Sequence, residues 1–404
     1  MISSEQAKDI VMSNLMDWGI ELVPLTQCSG RILREEIVAD RDFPPFDRVT
    51  MDGIAIKFDD FISGIREFYI VDIQTAGLPR KSLQGTGEAH EIMTGAILSA
   101  GADAIIRYED IRIESREGER YAQVNLEDLL IWKNIHKQGS DRKKGDILLR
   151  PHCSLSAADV AVLATVGKAR VTVSKLPRVA IISTGDELVD VSKSPESHQI
   201  RMSNSLMIET KLNELKIYNQ RFHLLDDYSA LLVKIEAILD SFDVILISGG
   251  VSKGKADYIP EVLDELNVNK LFHRVAQRPG KPFWFGERNG EKFVFALPGN
   301  PISTFMCFTI YFLPWLQKSL KSSDEKVKYA VLGQDFIFNP ALTYFLQVAC
   351  ELDDNGCYTA MPKEGSGSGD LSNLVESNGF LELPSGQKSF KKGQLFWVFP
   401  FRNF

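Results

Sequence analysis

The hydrophobic pattern predicts a helix followed by β-rich modules in the first 175 residues. Apolar side chains in residues 4–17 recur at helical spacing and Gly19 follows as a stop signal, which predicts one amphipathic helix. Residues 24–175 contain short apolar runs, such as 68–73 and 104–108, which are separated by glycine-rich turns. This pattern is typical of β-strands with little helix between them.

A different pattern begins near residue 177 and predicts a parallel α/β domain. The runs 178–182, 243–248 and 292–297 are continuously apolar, as strands buried on both faces require. Helical patterns lie between and after these runs, so we expect a three-layer α/β domain from about 177 to 321. A charged linker then leads into a final β-rich segment.

The unusual residues of this predicted domain lie close to the ends of its strands. In an open parallel sheet, ligands bind beyond the carboxyl ends of the strands. Loops 183–187, 248–257 and 297–301 follow three of the strands, and loop 278–282 precedes the last one. Their glycines let backbone N–H groups approach an anion, and helix N-termini add partial positive charge. Four cationic side chains lie in the same loops: Lys253, Lys255, Arg278 and Lys281.

Carboxylates are expected at the same edge of the sheet: Asp186, Glu187, Asp226, Asp227 and Asp257. Oxygen ligands beside a phosphate site indicate Mg²⁺. Each feature alone has a simpler interpretation, because glycines form ordinary turns, Asp186 or Asp226 could cap a helix, and Asn300 with Pro301 could start one. The convergence of three loops on one sheet edge favours a binding site.

Charge and cysteine content narrow the classes of partner and compartment. The 404 residues carry 46 Lys and Arg against 54 Asp and Glu, a formal net charge of −8. We therefore expect neither duplex nucleic acid nor an anionic membrane as a partner. The five cysteines are scattered without a metal-ligand motif and fit a reduced, cytoplasmic compartment. Residues 1–10 lack the pattern of a secretion signal.

Other segments disfavour several further classes of protein. The six histidines form no H-x-x-x-H motif and no G-x-S-x-G motif occurs, which disfavours zinc hydrolases and serine esterases. Residues 304–316 are strongly apolar but too few to span a bilayer core of about 30 Å, so we expect a buried core or subunit-contact helix. Segment 42–53 is polar and proline-rich, which predicts an ordered connection, with a domain hinge as the alternative.

Six short motifs are distributed along the chain: 44–53 (PPFDRVTMDG), 92–96 (IMTGA), 183–188 (STGDEL), 248–252 (SGGVS) with 256–258 (ADY), 278–282 (RPGKP) and 297–303 (LPGNPIS). In their wording and their order, they closely resemble the motifs of the molybdopterin molybdotransferase family, the MoeA and gephyrin E-domain type. Two later segments, 365–369 (GSGSG) and 378–384 (NGFLELP), extend the resemblance over essentially the whole chain.

The resemblance implies an enzyme of molybdenum cofactor biosynthesis. Such an enzyme inserts molybdate into adenylylated molybdopterin at the pterin dithiolene and releases AMP, with Mg²⁺ as the expected cofactor. The resemblance also implies an elongated homodimer, with an active site between the α/β domain of one subunit and a β-rich domain of the other. Transient contact with a molybdopterin adenylyltransferase is expected as well.

The same resemblance implies a multidomain subunit of the α/β plus all-β class, with a three-layer α/β domain and a C-terminal β-barrel-like domain. We predict four domains. They are an α/β molybdopterin-binding domain (1–24 and 175–322), an elongated linking or dimerisation domain (25–46 and 143–174), a β-rich inserted domain (47–142) and a C-terminal β domain (327–404).

Positions that match the family's functional residues fall in both halves of the chain. The candidate catalytic residues are Asp52, Thr94, Asp141, Glu187 and Asp257, of which Glu187 and Asp257 are the candidate Mg²⁺ ligands. The candidate substrate-binding residues are Thr184, Gly185, Asp186, Asp226, Asp227, Gly249, Gly250, Ser252, Arg278, Lys281, Pro298, Asn300, Pro301 and Ser303. We expect Asp52 to orient metal or water, and Lys281 and Arg278 to compensate the charge of phosphate and molybdate.

This sequence departs from the family pattern at three places. Ile54 replaces a familiar aromatic residue, Val49–Thr50 replaces a common Ser-Ala pair, and Arg278 replaces the usual lysine. Because the carboxylate set is intact, an active enzyme is favoured. Two alternatives remain: a carrier or scaffold that binds molybdopterin without turnover, and a nucleotide-processing enzyme that shares only the α/β domain.

Overall fold

The computed structural model describes residues 1–251, 257–323, 328–354, 356–365 and 367–402. Its residues group into two compact units. The first, here called the α/β-barrel unit, contains Met1–Arg34, Pro151–Ser156 and the described part of Arg170–Phe404. The second, here called the β-rich unit, contains Glu35–Arg150 and Ala157–Ala169. The four domain bounds predicted from the sequence remain a prediction.

The first 174 residues contain mostly short strands, together with three helices. They are α1 (Ser4–Ser13), β1 (Ile20–Pro24), β2 (Ile37–Val38), β3 (Arg48–Val49), β4 (Gly53–Ile56), α2 (Phe58–Ile62), β5 (Glu67–Gln74), β6 (Glu88–Ile92), β7 (Ala104–Arg107), β8 (Ile111–Arg116), β9 (Glu119–Val124), β10 (Ile135–His136), β11 (Ile147–Leu149), α3 (Ala157–Thr165) and β12 (Arg170–Ser174). The predicted β-rich texture of this part is therefore confirmed.

The first helix is shorter than its apolar spacing predicts. Ser3 caps α1, since its hydroxyl accepts from the Gln6 N–H and the Gln6 side chain accepts from the Ser3 N–H, which is a capping box. The helix ends at Ser13 rather than at residue 17, because Asn14 leaves the helical conformation. Met16 and Trp18 follow as an irregular segment that packs against the core of the α/β-barrel unit.

A six-stranded sheet forms the body of the β-rich unit. Its strand order is β7-β4-β6-β5-β9-β8, and β3 with β10 and β2 with β11 form two small ribbons beside it. One hydrophobic cluster contains Ile54 and Ile106, and a second contains Ala55 and Ile105. Alternate residues of β4 and β7 thus pack into different clusters, as the two-residue period of a strand requires.

The α/β region follows with these elements: β13 (Val179–Thr184), β14 (Leu188–Val189), β15 (Ile200–Arg201), α4 (Asn204–Glu214), β16 (Asn219–Leu224), α5 (Tyr228–Ser241), β17 (Val244–Ser248), α6 (Ile259–Glu265), β18 (Asn269–His273), β19 (Gln277–Arg278), β20 (Trp284–Arg288), β21 (Lys292–Leu297), α7 (Pro301–Cys307) and α8 (Leu313–Ser319). A π-helical turn, Phe308–Phe312, joins α7 to α8. The predicted buried stretch 304–316 lies in this continuous helical segment, and its residues are mostly buried.

The central sheet has the order β16-β13-β17-β21-β20-β18. Strands β16, β13, β17 and β21 are parallel, whereas β20 pairs antiparallel with both β21 and β18. The sequence predicted a wholly parallel sheet, and this is wrong at one edge. A turn at Asn289 and Gly290, both with positive φ, reverses the chain between β20 and β21.

Both faces of this sheet are covered, which gives the predicted three layers. Val179 and Ile181 pack into one core cluster with residues of α1, α4 and α7, while Ala180 and Ile182 pack into another with residues of α5 and α6. All residues of β13 and β17 are buried. Continuous apolar runs are therefore needed in these strands, because both sides of each strand face a core.

The C-terminal part closes into a small barrel. It contains β22 (Lys328–Leu332), β23 (Phe336–Ile337), β24 (Thr343–Leu352), β25 (Tyr358–Pro362), β26 (Gly379–Leu383), β27 (Ser389–Phe390) and β28 (Leu395–Pro400). Strands β24, β25, β22, β28 and β26 pair in a closed ring, and β19 of the α/β region adds to β24. The predicted barrel-like domain is thus confirmed. Within the described ranges, no helix has both the length and the apolar character needed to cross a bilayer.

Candidate functional site

A cavity of about 550 Å³ lies at the carboxyl ends of the parallel strands. The residues that end β13 and β17, Thr184 and Ser248, line it, as do loop residues that follow each strand. Twelve of the predicted site residues meet there: Thr184, Gly185, Glu187, Asp226, Gly249, Gly250, Asp257, Lys281, Pro298, Asn300, Pro301 and Ser303. The sheet therefore brings together side chains that are up to 119 positions apart in the chain, from Thr184 to Ser303.

Hydrogen-bond donors for an anion concentrate where β13 and β17 end. Gly249 has φ +103°, and a Cβ there would lie 2.9 Å from the Thr184 carbonyl oxygen, so a side chain does not fit. The Thr184 hydroxyl is buried, lines the cavity and has no hydrogen-bond partner among the described residues. Lys281 enters the same cavity from the neighbouring loop. These groups suit an anionic oxygen ligand.

Three carboxylates, Glu187, Asp226 and Asp257, also line the cavity. Burial raises the pKa of Asp226, and repulsion from Asp186, Glu187 and Asp257 raises it further. In the part of the chain that the structure describes, no three His, Cys, Asp or Glu residues form a ready-made metal site. Mg²⁺ commonly uses only one or two carboxylates together with substrate phosphates, so this donor set fits a cation that binds with its substrate.

Three predicted residues of the α/β region lie outside this cavity. Asp186 accepts a hydrogen bond from the Asp226 N–H at 3.1 Å and so braces that loop. Asp227 caps α5, since its side chain accepts from the Ala230 N–H at 2.7 Å. Arg278 lines a separate cavity of about 270 Å³. Ser252, with Lys253 and Lys255, lies outside the described residues.

Asn204 is a cavity residue that the sequence analysis did not single out. Its Nδ2 donates to the Ser248 Oγ at 2.9 Å, to the Gly299 carbonyl at 2.7 Å and to the Thr304 Oγ1 at 3.2 Å. One amide thus joins the end of β17 to the loop before α7. Its Oδ1 is buried without a partner among the described residues. The only signal in the sequence was its position at the start of a predicted helix.

The predicted residues of the β-rich unit form two local arrangements. Asp52 Oδ1 accepts from the Thr94 N–H at 2.6 Å, and this bond lowers the pKa of the exposed Asp52 carboxyl. The side chain of Thr94 lowers it further. Tyr108 donates its N–H to the Asp52 carbonyl at 3.2 Å. The Met-Asp-Gly and Met-Thr-Gly motifs, 42 residues apart, are therefore joined by a direct hydrogen bond.

The third predicted residue of this unit, Asp141, is held by a histidine. His136 Nε2 lies 2.8 Å from Asp141 Oδ1, and Arg48 Nη2 lies 3.1 Å from His136 Nδ1. Because a guanidinium can only donate, Nδ1 accepts and Nε2 carries the hydrogen that Asp141 accepts. The side chain of Asp141 thus has one defined orientation, although it is exposed.

Three family models match consecutive parts of the chain: "MoeA N-terminal region (domain I and II)" over 2–167, "Probable molybdopterin binding domain" over 180–318 and "MoeA C-terminal region (domain IV)" over 329–401. A molybdopterin molybdenumtransferase of Synechocystis sp. is 36% identical over 398 residues, which are 98% of this chain and 99% of that protein. This chain belongs to the MoeA family of molybdopterin molybdenumtransferases.

Further similarities support the membership. A molybdopterin molybdenumtransferase of Staphylococcus epidermidis is 32% identical, over 92% of this chain and 89% of its own length. A crystal structure of the molybdopterin biosynthesis MoeA protein from Pyrococcus horikoshii superposes with a TM-score of 0.83 at 32% identity, covering 100% of both chains. The chain is thus an enzyme of molybdenum cofactor biosynthesis. The matched N- and C-terminal regions exclude a relationship limited to the α/β domain.

Proposed function

We propose that this MoeA family member inserts molybdate into adenylylated molybdopterin and releases AMP in a Mg²⁺-dependent reaction. The observation that carries the proposal is a single cavity that combines anion donors with carboxylates. A substrate that contains a phosphoanhydride needs both, because its oxygens bind donors while the associated cation binds carboxylates. In the reaction the phosphorus–oxygen bond to AMP breaks, and water supplies the oxygen and the protons for the two new phosphate ends. At the pterin, the two thiol sulfurs bond to molybdenum, and their protons leave with one molybdate oxygen as water.

Each group of cavity residues has a role in this proposal. The Gly250 N–H and the Thr184 hydroxyl bind the phosphoanhydride oxygens of the substrate, while the Gly249 N–H donates to the Leu297 carbonyl at 3.3 Å. The Lys281 ammonium compensates the charge of the phosphate and of the incoming molybdate. Asn204 holds the loop before α7 in place, so that Pro298 and Ser303 shape the wall of the cavity.

The carboxylates supply the proposed cation site. Glu187 and Asp257 would hold Mg²⁺, and the like-charge repulsion that raises the pKa of Asp226 would be relieved when the cation binds. When bound, Mg²⁺ neutralises charge on the phosphoanhydride oxygens. Asp52, ionised and held by the Thr94 N–H, would orient the attacking water or the metal.

The wider biological setting is also a proposal. We propose a homodimer, which light scattering tests, and transient contact with a molybdopterin adenylyltransferase that supplies the substrate. We also propose a cytoplasmic location, which is supported by five free cysteines. Immunodetection in cell fractions tests the location.

AMP release from adenylylated molybdopterin tests the activity directly. The purified protein is assayed with Mg²⁺, with and without molybdate, alongside Asp52→Ala and the control Asp59→Ala, whose side chain is exposed on α2. Molybdate-dependent release by the wild type and the control, abolished by Asp52→Ala, supports the proposal. Binding without release supports a carrier instead, and absence of both contradicts the transferase and the carrier alike.

A further inference from the structure

Two polar side chains are buried in the apolar core directly behind the loop that carries Lys281. Gln277 on β19 and Tyr311 on the π-helical turn each have a relative exposure of 1%. Tyr311 belongs to the apolar core cluster, and the Phe283 ring centroid lies 4.9 Å from that of Tyr311. Burying polar groups in such surroundings is costly unless they are hydrogen-bonded, so their partners indicate what they do.

The two side chains form one hydrogen-bonded chain that ends on the loop backbone. The Tyr311 hydroxyl donates to Gln277 Oε1. Gln277 Nε2 donates to the Gly280 carbonyl at 3.1 Å and lies 3.6 Å from Cys307 Sγ. Burial raises the pKa of the Tyr311 phenol and of the Cys307 thiol, so both stay protonated at neutral pH. The direction of donation from Tyr311 through Gln277 to Gly280 is therefore fixed.

The loop itself fits closely against the same helical segment. Gly280 has φ +85°, and a Cβ there would lie 2.7 Å from Cys307 Sγ and 2.8 Å from Met306 Cε. Its carbonyl also accepts from the Phe283 N–H at 3.3 Å, while the Lys281 carbonyl accepts from the Val275 N–H at 3.0 Å. The backbone on both sides of Lys281 is thus attached to the core.

We propose that Gln277 and Tyr311 are positioning residues that fix the Lys281 backbone, and with it the ammonium group, in the substrate cavity. The inference rests on the proposed function, in which Lys281 binds an anionic oxygen. Neither side chain lines the cavity, so both act through the Gly280 carbonyl. A catalytic group displaced by about 1 Å can lose about 100-fold in rate, which gives such a tether functional value.

Three variants separate positioning from simple support of the fold. Tyr311→Phe leaves Gln277 Oε1 buried without a donor, so we expect a lower Tm and a KM raised several-fold. Gln277→Met removes the tether to Gly280. The double variant removes both the Tyr311 hydroxyl and the Gln277 amide, so neither is left buried without its partner. We therefore expect the Tm of the double variant to be higher than that of Tyr311→Phe. KM for adenylylated molybdopterin stays at least fivefold raised, because the tether is still absent.

The control is Tyr121→Phe, which removes an exposed hydroxyl that donates to Glu119 in the β-rich unit. We expect it to match the wild type in Tm and KM. A second readout does not need turnover: hydrogen–deuterium exchange of residues 278–283 should be faster in Gln277→Met and in the double variant than in the control. Unchanged exchange, or a double variant with wild-type KM, overturns the inference. A wild type that releases no AMP contradicts the proposed function instead, and the exchange measurement still decides whether the tether exists.

Discussion

Two candidate carboxylates, one in each unit, have opposite electrostatic surroundings. In the α/β-barrel unit, burial and three neighbouring acids raise the pKa of Asp226. In the β-rich unit, the Thr94 N–H lowers the pKa of Asp52, which is exposed. An unfavourable cluster of negative charge is typical of a cation site, whereas a carboxylate stabilised in its charged form stays ionised and suits orientation of a water or a cation. The two residues are therefore expected to respond differently to the same substitution.

The largest expected effect is at Asp52. Asp52→Asn keeps an oxygen that can accept from the Thr94 N–H but removes the charge, so we expect AMP release to fall about 100-fold, the scale expected when a reacting group is no longer held in place. Steady-state kinetics measure this effect. The control is Asp59→Asn, whose side chain is exposed on α2. A variant with near wild-type rate would show that only the hydrogen bond to Thr94 matters. It would contradict the proposal that Asp52, unlike Asp226, acts through its stabilised charge.

Substitution of Lys281 tests anion binding in the cavity of the α/β-barrel unit. Lys281→Gln removes a cation from the cavity lining, so we expect KM for adenylylated molybdopterin to rise about 10-fold or more, the size of one charge-assisted hydrogen bond of about 1.5–3 kcal/mol. Titration of the substrate in the AMP release assay measures it. Lys270→Gln, an exposed lysine on β18, is the matched control. Equal KM values for the two variants would contradict anion binding by Lys281.

Substitution of Asn204 tests a difference in how hydrogen bonds hold the loops within each of the two units. The side chain of Asn204 joins loops of the cavity, while the Asp52 loop is held by the Asp52 carboxylate on the Thr94 N–H and by the Tyr108 N–H on the Asp52 carbonyl. Asn204→Ala leaves three acceptors without this donor, so we expect the free energy of unfolding to fall by about 1–3 kcal/mol. Urea denaturation measures the change. Asn213→Ala on the exposed face of the same helix should cost less, and an equal cost would argue against the joining role.

The smallest expected effect is on pH dependence. The pKa of Asp226 in the folded state lies above its ordinary value of 3.8. Between these two pKa values the folded state binds more protons than the unfolded state, so the free energy of unfolding falls as the pH rises through that range. Asp226→Asn removes this loss, so we expect Tm at pH 7 to rise by roughly 1–2 °C without Mg²⁺. Thermal melts at pH 4 and pH 7 measure it. A variant that is less stable than wild type at pH 7 would contradict the repulsion.

Much of the α/β region could be predicted from the sequence because its strands are buried on both faces. The runs before Ser248 and Leu297 allowed one interpretation only, and their parallel pairing placed the following loops at one edge. The hairpin between β20 and β21 was not predicted, since an apolar run does not reveal the direction of its neighbour. Helix α1 was overestimated because apolar spacing continues past Asn14, where the helix ends.

The candidate site also contains residues that the sequence marked and residues that only the structure revealed. Glycines, prolines and charges at strand ends marked Gly249, Lys281 and Pro298 as site residues without any structure. The sequence could not show which of Asp226 and Asp227 faces the site. Asp226 lines the cavity and Asp227 caps α5, and this difference depends on the direction of the backbone. Gln277 and Tyr311 carried no signal, since a glutamine and a tyrosine 34 residues apart look like ordinary core and loop residues.

The sequence by itself determined the family, the alternation of apolar strands and helices, and the loops that carry glycine and charge. These features follow from local rules of periodicity, turn chemistry and motif order, which act over a few residues. Only the tertiary structure decided which carboxylates raise the pKa of Asp226 and which amide joins the loops. It also decided which buried hydroxyl supports the lysine loop. Hydrogen bonds and Coulomb interactions depend on distances of a few ångströms between groups far apart in the chain, and folding alone sets those distances.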